Sequence, residues 1–463
     1  MALVERQLTD EPGLRNLTYK LAEWISELRY EDVSDSACTW SKHALLDWAG
    51  VTLAASRDPL VDIIAEELVE SADGPCTLVG RGQKADKHSA ALINGAASHA
   101  LDYDDVAGAM HGHPTVPVAP AILALGEELG ASGKDIITAF VAGVQTECRL
   151  GAMTDSSVRE ESSHYEQGFH ATGTLGAFGA AAATANLMRL DSEATARALG
   201  LAASQGAGLK CNFGTMTKPF HAGKAAANGL LASRLAARGF TARTNAIEVP
   251  QGFAFSQIPE FTPQGLEPCS DGVFEVERIL FKYHAACYST HAALNAIRAL
   301  RGEYDIDLDD VERITLCVNT RHANNCDNPD PRTGLDLKFS IRHLAVLALD
   351  GVDTAALETY NSDNATNPRY VAVRERTHVA FEPDRDRMTA DVRITLRDGR
   401  TLTQFSDSGK PAADIHRQWQ QLSKKFTALA SPVIGDERTE HAIAAFDELD
   451  AAKSCRDVVA AIA

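Results

Sequence analysis

The 463-residue sequence predicts a mainly α protein: a large all-helical domain from residues 1–264 and 408–463, with a smaller α+β domain inserted at 265–407. Three observations carry this expectation. Apolar residues recur at helical spacing from about residue 14 to 240, strand-like alternation begins only after about residue 262, and helical spacing returns from about residue 413. A chain of this length exceeds one compact core, so two domains are the reasonable division.

The elements follow in order. Within 90–101, Ala91, Leu92, Ile93, Ala96, Ala97, Ala100 and Leu101 fall on helical positions. Ser132-Gly133-Lys134-Asp135 reads as a capping-box start for a helix to about residue 150. The run 171–188 is rich in small residues (Gly173, Gly176, Ala177, Gly179, Ala180, Ala183), which predicts a closely packed buried helix rather than a membrane span. Asp191 is placed to cap the next helix, to about residue 204, and 215–239 reads as one helix of about five turns. Residues 241–270, rich in Pro, Gly, Phe and Gln, predict a crossing segment. Strands are expected at 273–280 and 311–318, separated by a helix at 290–301. A further helix at 337–350 ends at Gly351, a loop carries Asn361 to Asn364, and 390–405 reads as two strands joined by Asp398-Gly399.

Composition narrows the function. A formal net charge of −19 argues against nucleic acid and anionic membranes as partners. An anionic substrate must therefore reach a local positive pocket inside an acidic molecule. The nine cysteines are scattered and never spaced as CxxC, which predicts reduced thiols and a cytoplasmic protein. The N-terminal MALVERQLTDEPG has no apolar core, so no signal peptide is expected. HExxH and paired-cysteine spacings are absent, so no metal ligand set is predicted.

Four clusters carry candidate chemistry. In Thr215-Met216-Thr217-Lys218-Pro219-Phe220-His221, Lys218 falls at the positive end of a helix dipole, where cations are disfavoured. Either it collects a negative charge from a ligand, or it pairs with a carboxylate of the chain. Asp102-Tyr103-Asp104-Asp105 follows the end of a helix, where acids are locally costly, and leads into His111-Gly112-His113-Pro114. It is either a site or a solvated acidic loop. His170 precedes a helix, a position that favours the neutral imidazole suited to proton transfer, although a packed histidine fits equally. Finally, Tyr283-His284-Ala285-Ala286-Cys287-Tyr288-Ser289-Thr290-His291 places Cys287 near two histidines. No hydrolase motif surrounds it, so a pocket-lining role is favoured over a nucleophilic one.

Together the segments at 94–105 (NGAASHALDYDD), 111–127, 168–183, 212–229, 282–297 and 335–351 resemble the MmgE/PrpD family, in the family's order. That family includes 2-methylcitrate dehydratase, cis-aconitate decarboxylase and iminodisuccinate epimerase. The resemblance spans about residues 14–430. It implies a helical domain with a smaller α+β lid, a site in the cleft between them, a homodimer, and no metal or organic cofactor. Carried over by position, the catalytic residues are Asp102, His113, His170 and Lys218. Tyr103, Thr217, His221, Cys287, His291 and His322 are expected to bind substrate. A family threonine corresponds to Val106, a lid histidine to Cys287 and a lid tyrosine to His322.

The family's reactions make or quench negative charge on a carbon next to a carboxylate. Dehydration of a small hydroxylated di- or tricarboxylate is the first reading. Epimerisation at an α-carbon, decarboxylation of an unsaturated tricarboxylate and a non-catalytic carboxylate-binding protein are the alternatives.

Overall fold

The computed structural model describes residues 16–68, 74–154, 163–257, 262, 266 and 272–463. The expected domain junction at 264/265 and Cys269 lie outside them. The chain divides into two compact units, Met1–Ile279 with Asp414–Ala463, and Leu280–Ala413.

The first unit is helical: α1 (Leu17–Glu27), α2 (Asp35–Ala54), α3 (Pro59–Leu68), then, past a small hairpin of β1 (Cys76–Leu78) and β2 (Gln83–Ala85), α4 (Lys87–Ala100). It continues with α5 (Thr115–Leu129), α6 (Gly133–Thr154), α7 (Ala171–Leu187), α8 (Ser192–Ala203) and α9 (Thr217–Ala236). Local chemistry explains several starts. Ser132 and Asp135 exchange hydrogen bonds across the first turn of α6, and Asp191 accepts from the Ala194 amide at the start of α8. Every residue of α7 is buried, and it packs on α6, α8 and α9.

Close helix approach in this unit depends on missing side chains. Gly95 of α4 faces Gly223 of α9 so tightly that a Cβ on Gly95 would lie 2.8 Å from the Gly223 Cα. A methyl group at either position forces the helices apart, so the two glycines set the crossing. Because that crossing lies seven residues before Asp102 and five after Lys218, it brings the end of α4 to the start of α9.

Just before the second unit, a turn stands where a strand was expected at 273–280. Glu275–Arg278 forms a single 3₁₀ turn, assigned by position to the end of the first unit. Its charged residues explain the difference: Glu275 pairs with Arg149 and Arg278 while its amide donates to Gln145, leaving no ladder for a strand. Beyond Leu280 come α10 (His291–Glu303), β3 (Val311–Asn319), α11 (Ile341–Asp350), α12 (Pro368–Arg374), β4 (Thr377–Glu382), β5 (Thr389–Leu396) and β6 (Thr401–Asp407). The sheet order is β4-β3-β5-β6, with β4 parallel to β3 and the other pairs antiparallel. Gly399, at φ 89°, makes the β5–β6 turn as the Asp-Gly pair predicts. The predicted helix at 337–350 is two pieces, Gly334–Leu337 and α11, and Asn361 caps a short helix at Ser362–Thr366 rather than an open loop.

The chain then returns to the first unit with α13 (Ile415–Ile434), α14 (Asp436–Asp447) and α15 (Cys455–Ala461). The α13 helix packs along α2. No helix among the described residues is long and apolar enough to cross a membrane.

Candidate active site

The site grows from the α4–α9 crossing. As α4 ends, Asp102 takes a left-handed backbone with φ 51°, uncommon for a residue with a Cβ. Its carboxylate receives a hydrogen bond of 2.9 Å from Lys218 Nζ, and both side chains are nearly buried. Lys218 is the second residue of α9, so its unfavourable place at a positive helix end is offset by a carboxylate of the chain itself. Of the two sequence readings of Lys218, the internal pair is the one formed in this structure.

Asp104 organises the next layer. Its Oδ2 lies 2.9 Å from His99 Nδ1 and 2.7 Å from His113 Nδ1. The His113 ring nitrogen and the Asp104 carboxylate are thus within ion-pair distance. Burial alone would raise the Asp104 carboxyl, yet His113 and His99, by charge and hydrogen bonding, hold it well below the usual carboxylate range. Burial pushes the His99 imidazole down to about 4, although Asp104 opposes this. A neutral His99 facing an ionised Asp104 carries its proton on Nδ1. His113 Nε2, meanwhile, faces Asp102 Oδ1 at 3.7 Å.

The loop carrying His113 is tied at both sides. Its amide donates to Thr172 Oγ1 in the first turn of α7, and Ala107 and Gly112 pair across the loop. Two residues on, the Thr115 amide and hydroxyl both donate to Asp105. Burial, with Asp47 and Asp104 nearby, pushes the Asp105 carboxyl well above its ordinary range despite those bonds.

His170 precedes α7 as its N-cap, with Nδ1 3.0 Å from His221 Nδ1. Only one of these two nitrogens can donate, so the rings hold complementary tautomers. His170 is held well below 6.5, first by burial and then by His99, Lys218, His113 and His221. Burial and then Lys218 lower His221 as well. The His99 ring stacks on His170 at 5.7 Å and meets His113 edge-on at 4.5 Å. Phe213 closes the group, edge-on to His170 at 5.0 Å and 5.4 Å beneath the Lys218 ammonium.

The other expected residues have surroundings of their own. Tyr103 is buried with its ring 3.9 Å from Lys425 Nζ, and Thr217 is exposed at the start of α9. In the second unit, His291 stacks on Tyr288 at 4.6 Å and meets His284 edge-on at 4.9 Å. His322 Nδ1 lies 3.0 Å from the Asn319 carbonyl, and the Cys287 amide donates to the Lys338 carbonyl. Burial lowers both His284, to about 4, and His322.

Residues 19–264 match the MmgE/PrpD N-terminal domain and residues 284–451 the MmgE/PrpD C-terminal domain. The chain belongs to the MmgE/PrpD family. It is 26% identical to the cis-aconitate decarboxylase of Mus musculus, over 96% of this chain and 92% of that protein. The Homo sapiens cis-aconitate decarboxylase is 25% identical over 96% and 93% of the two chains. That of Aspergillus terreus is 25% identical over 94% and 93%.

In this MmgE/PrpD chain, sequence reasoning missed His99 and Phe213 as members of the cluster and named Asp104 in a candidate acidic segment without giving it a role of its own. His99 carried a usable signal, since it stands three residues before Asp102 in the last turn of α4, on the side where that turn must fold back. The cluster also contains a donor set for a cation: ligand atoms of His99, Asp102, Asp104 and His113 lie within 4.8 Å of one another. Two imidazoles and two carboxylates suit a divalent transition ion. Lys218 already engages the Asp102 carboxylate, so an ion there competes with the ammonium for the same oxygen.

Proposed function

We propose that this MmgE/PrpD protein is a cofactor-independent lyase that dehydrates a small hydroxylated di- or tricarboxylate. The observation that carries the reading is the convergence of one ammonium, two imidazoles on separate elements and two carboxylates around Asp102. Lys218 shares its charge with an incoming substrate carboxylate and steadies the enolate-like charge that grows there. His113 Nε2 takes the α-proton, with Asp104 compensating the imidazolium that results. The same proton then passes to the departing hydroxyl, which leaves as water. His170, kept neutral at a helix start, donates a hydrogen bond to the developing oxyanion, as a neutral imidazole does elsewhere in proton-abstraction chemistry. The family resemblance assigns substrate choice to Cys287, His291 and His322.

Decarboxylation of an unsaturated tricarboxylate is a second reading, favoured by the names of the three relatives. Against it stand Val106 and Cys287 at positions where the family resemblance implies threonine and histidine. The two reactions need opposite starting states of His113, neutral for dehydration and protonated to quench a carbanion. Incubation with citrate-like hydroxy acids and with cis-aconitate, following the absorbance of a new conjugated double bond and release of carbon dioxide, separates them. Dehydration predicts a new double bond, at a rate rising with pH. Carbon dioxide from cis-aconitate with no dehydration of any hydroxy acid gives the second reading. Tight binding without solvent deuterium entering any acid makes the protein a carboxylate binder.

A further inference from the structure

Behind the turn that carries Asp102 and Asp104 lies a buried ion pair that no step of the proposed reaction uses. Lys425 comes from α13 and Asp47 from α2, with Nζ 2.7 Å from Asp47 Oδ1. The same ammonium donates to the Tyr103 carbonyl at 2.8 Å and sits 3.9 Å above the Tyr103 ring. Lys425 is 8% exposed and Asp47 3%.

Burying two charges is costly, and an ion pair that served cohesion alone is replaceable by apolar residues of similar size. This pair contributes something an apolar pair lacks, a directed donor to one backbone carbonyl. Tyr103 stands between the two carboxylate residues, directly after the left-handed Asp102. A backbone in that sparsely populated region persists where its surroundings hold it. On the far side of the turn, Asp105 is tied to Thr115. The turn is thus gripped at residue 103 by a helix from the far end of the chain and at residue 105 by the helix that follows His113.

We infer that Lys425, anchored by Asp47, is a positioning residue that clamps the Tyr103 carbonyl and so aims Asp102 at Lys218 and Asp104 at His99 and His113. The inference rests on the reading of this turn as part of the active site.

The deciding variant replaces the whole pair, Asp47→Leu with Lys425→Met. Apolar replacement preserves packing, so thermal stability stays near that of the native chain, while the donor to Tyr103 is lost. Turnover falls ~10–100-fold with KM within about threefold, the scale of a misplacement of roughly 1 Å. The NMR signal of the His99 N–H bonded to Asp104 shifts or broadens in step. A pair variant with native turnover and an unmoved His99 signal overturns the inference. If that variant does not fold, Lys425→Met is compared with Leu429→Ala, which weakens the same helix without touching the turn. Equal losses of turnover in those two reduce Lys425 to a structural role and overturn the inference as well. Should the native chain turn over none of the acids offered, the proposed reaction fails, while the His99 signal still reads the clamp.

Discussion

The two units hold their histidines in different ways. In the first, His99, His113 and His170 sit among Asp102, Asp104 and Lys218, and the Lys218–Asp102 bond joins residues 116 positions apart. In the second, His284 and His322 are held by neutral partners, a threonine hydroxyl at 2.6 Å and a backbone carbonyl at 3.0 Å, and His291 by ring contacts. Charges buried together cost solvation and are kept where they act. Neutral, locally bonded rings cost little and define shape. The proposed function accordingly gives proton and charge handling to the buried charged cluster and substrate choice to Cys287, His291 and His322.

The largest effect should come from breaking the charged cluster. Lys218→Met is expected to lower turnover ~10³-fold while near-native circular dichroism persists, because an anion loses its preorganised cation and Asp102 its partner. Near-native turnover removes Lys218 from the chemistry. His113→Gln and His170→Gln should each cost ~10²-fold or more. Of the two, only His113→Gln should abolish deuterium exchange at the α-carbon; loss of exchange in both would make His170 a proton carrier too.

Stability against pH tests the same contrast by another route. Five histidines, His43, His99, His164, His284 and His343, are pushed by burial to about 4. Their folded values lie below their unfolded ones, so the unfolded chain binds more protons between about 4 and 6.5 and stability is lost as pH falls through that window. Asp105 and Glu147 are shifted the other way, chiefly by burial, so their stabilising effect is lost as pH rises above the ordinary carboxylate range. Each fully titrating group changes stability by ~1.4 kcal/mol per pH unit. The lowered histidines, His170, His221 and His322 among them, outnumber these two carboxylates, so stability should rise with pH towards 6.5. Denaturant melts across pH check this, and Glu147→Gln should steepen the rise by removing one opposing carboxylate. A profile without an acid limb would mean the histidines are not held neutral.

Smaller still is the expected effect of Cys287→Ser, about tenfold or less, seen in KM and in the ratio between substrates rather than in turnover. A collapse of turnover would move chemistry into the second unit and erase the contrast.

Much of this was readable along the chain. The 3.6-residue periodicity, the Ser132 and Asp191 caps and the Asp398-Gly399 turn depend on neighbours within a few residues, and each produced the element expected. The failures share a cause. The stretch at 273–280 alternates like a strand, but Gln145 and Arg149, far back in α6, capture Glu275 and curl it. The β4 strand gives a weak local pattern and exists because β3 accepts it in parallel. At the site, His170 was expected to be neutral because of the helix dipole, whereas burial is the larger cause.

Residue order alone determined which groups are present: a lysine opening one helix, a histidine opening another, carboxylates closing a third, and a six-segment pattern marking the MmgE/PrpD family. Those are local or patterned properties, written in consecutive residues. Only tertiary structure decided that Lys218 meets Asp102, that Asp104 serves two imidazoles, and that Lys425 reaches Tyr103 from the other end of the chain. Such contacts depend on how closely α4 and α9 can approach across Gly95 and Gly223, and on which charges are sealed from water together.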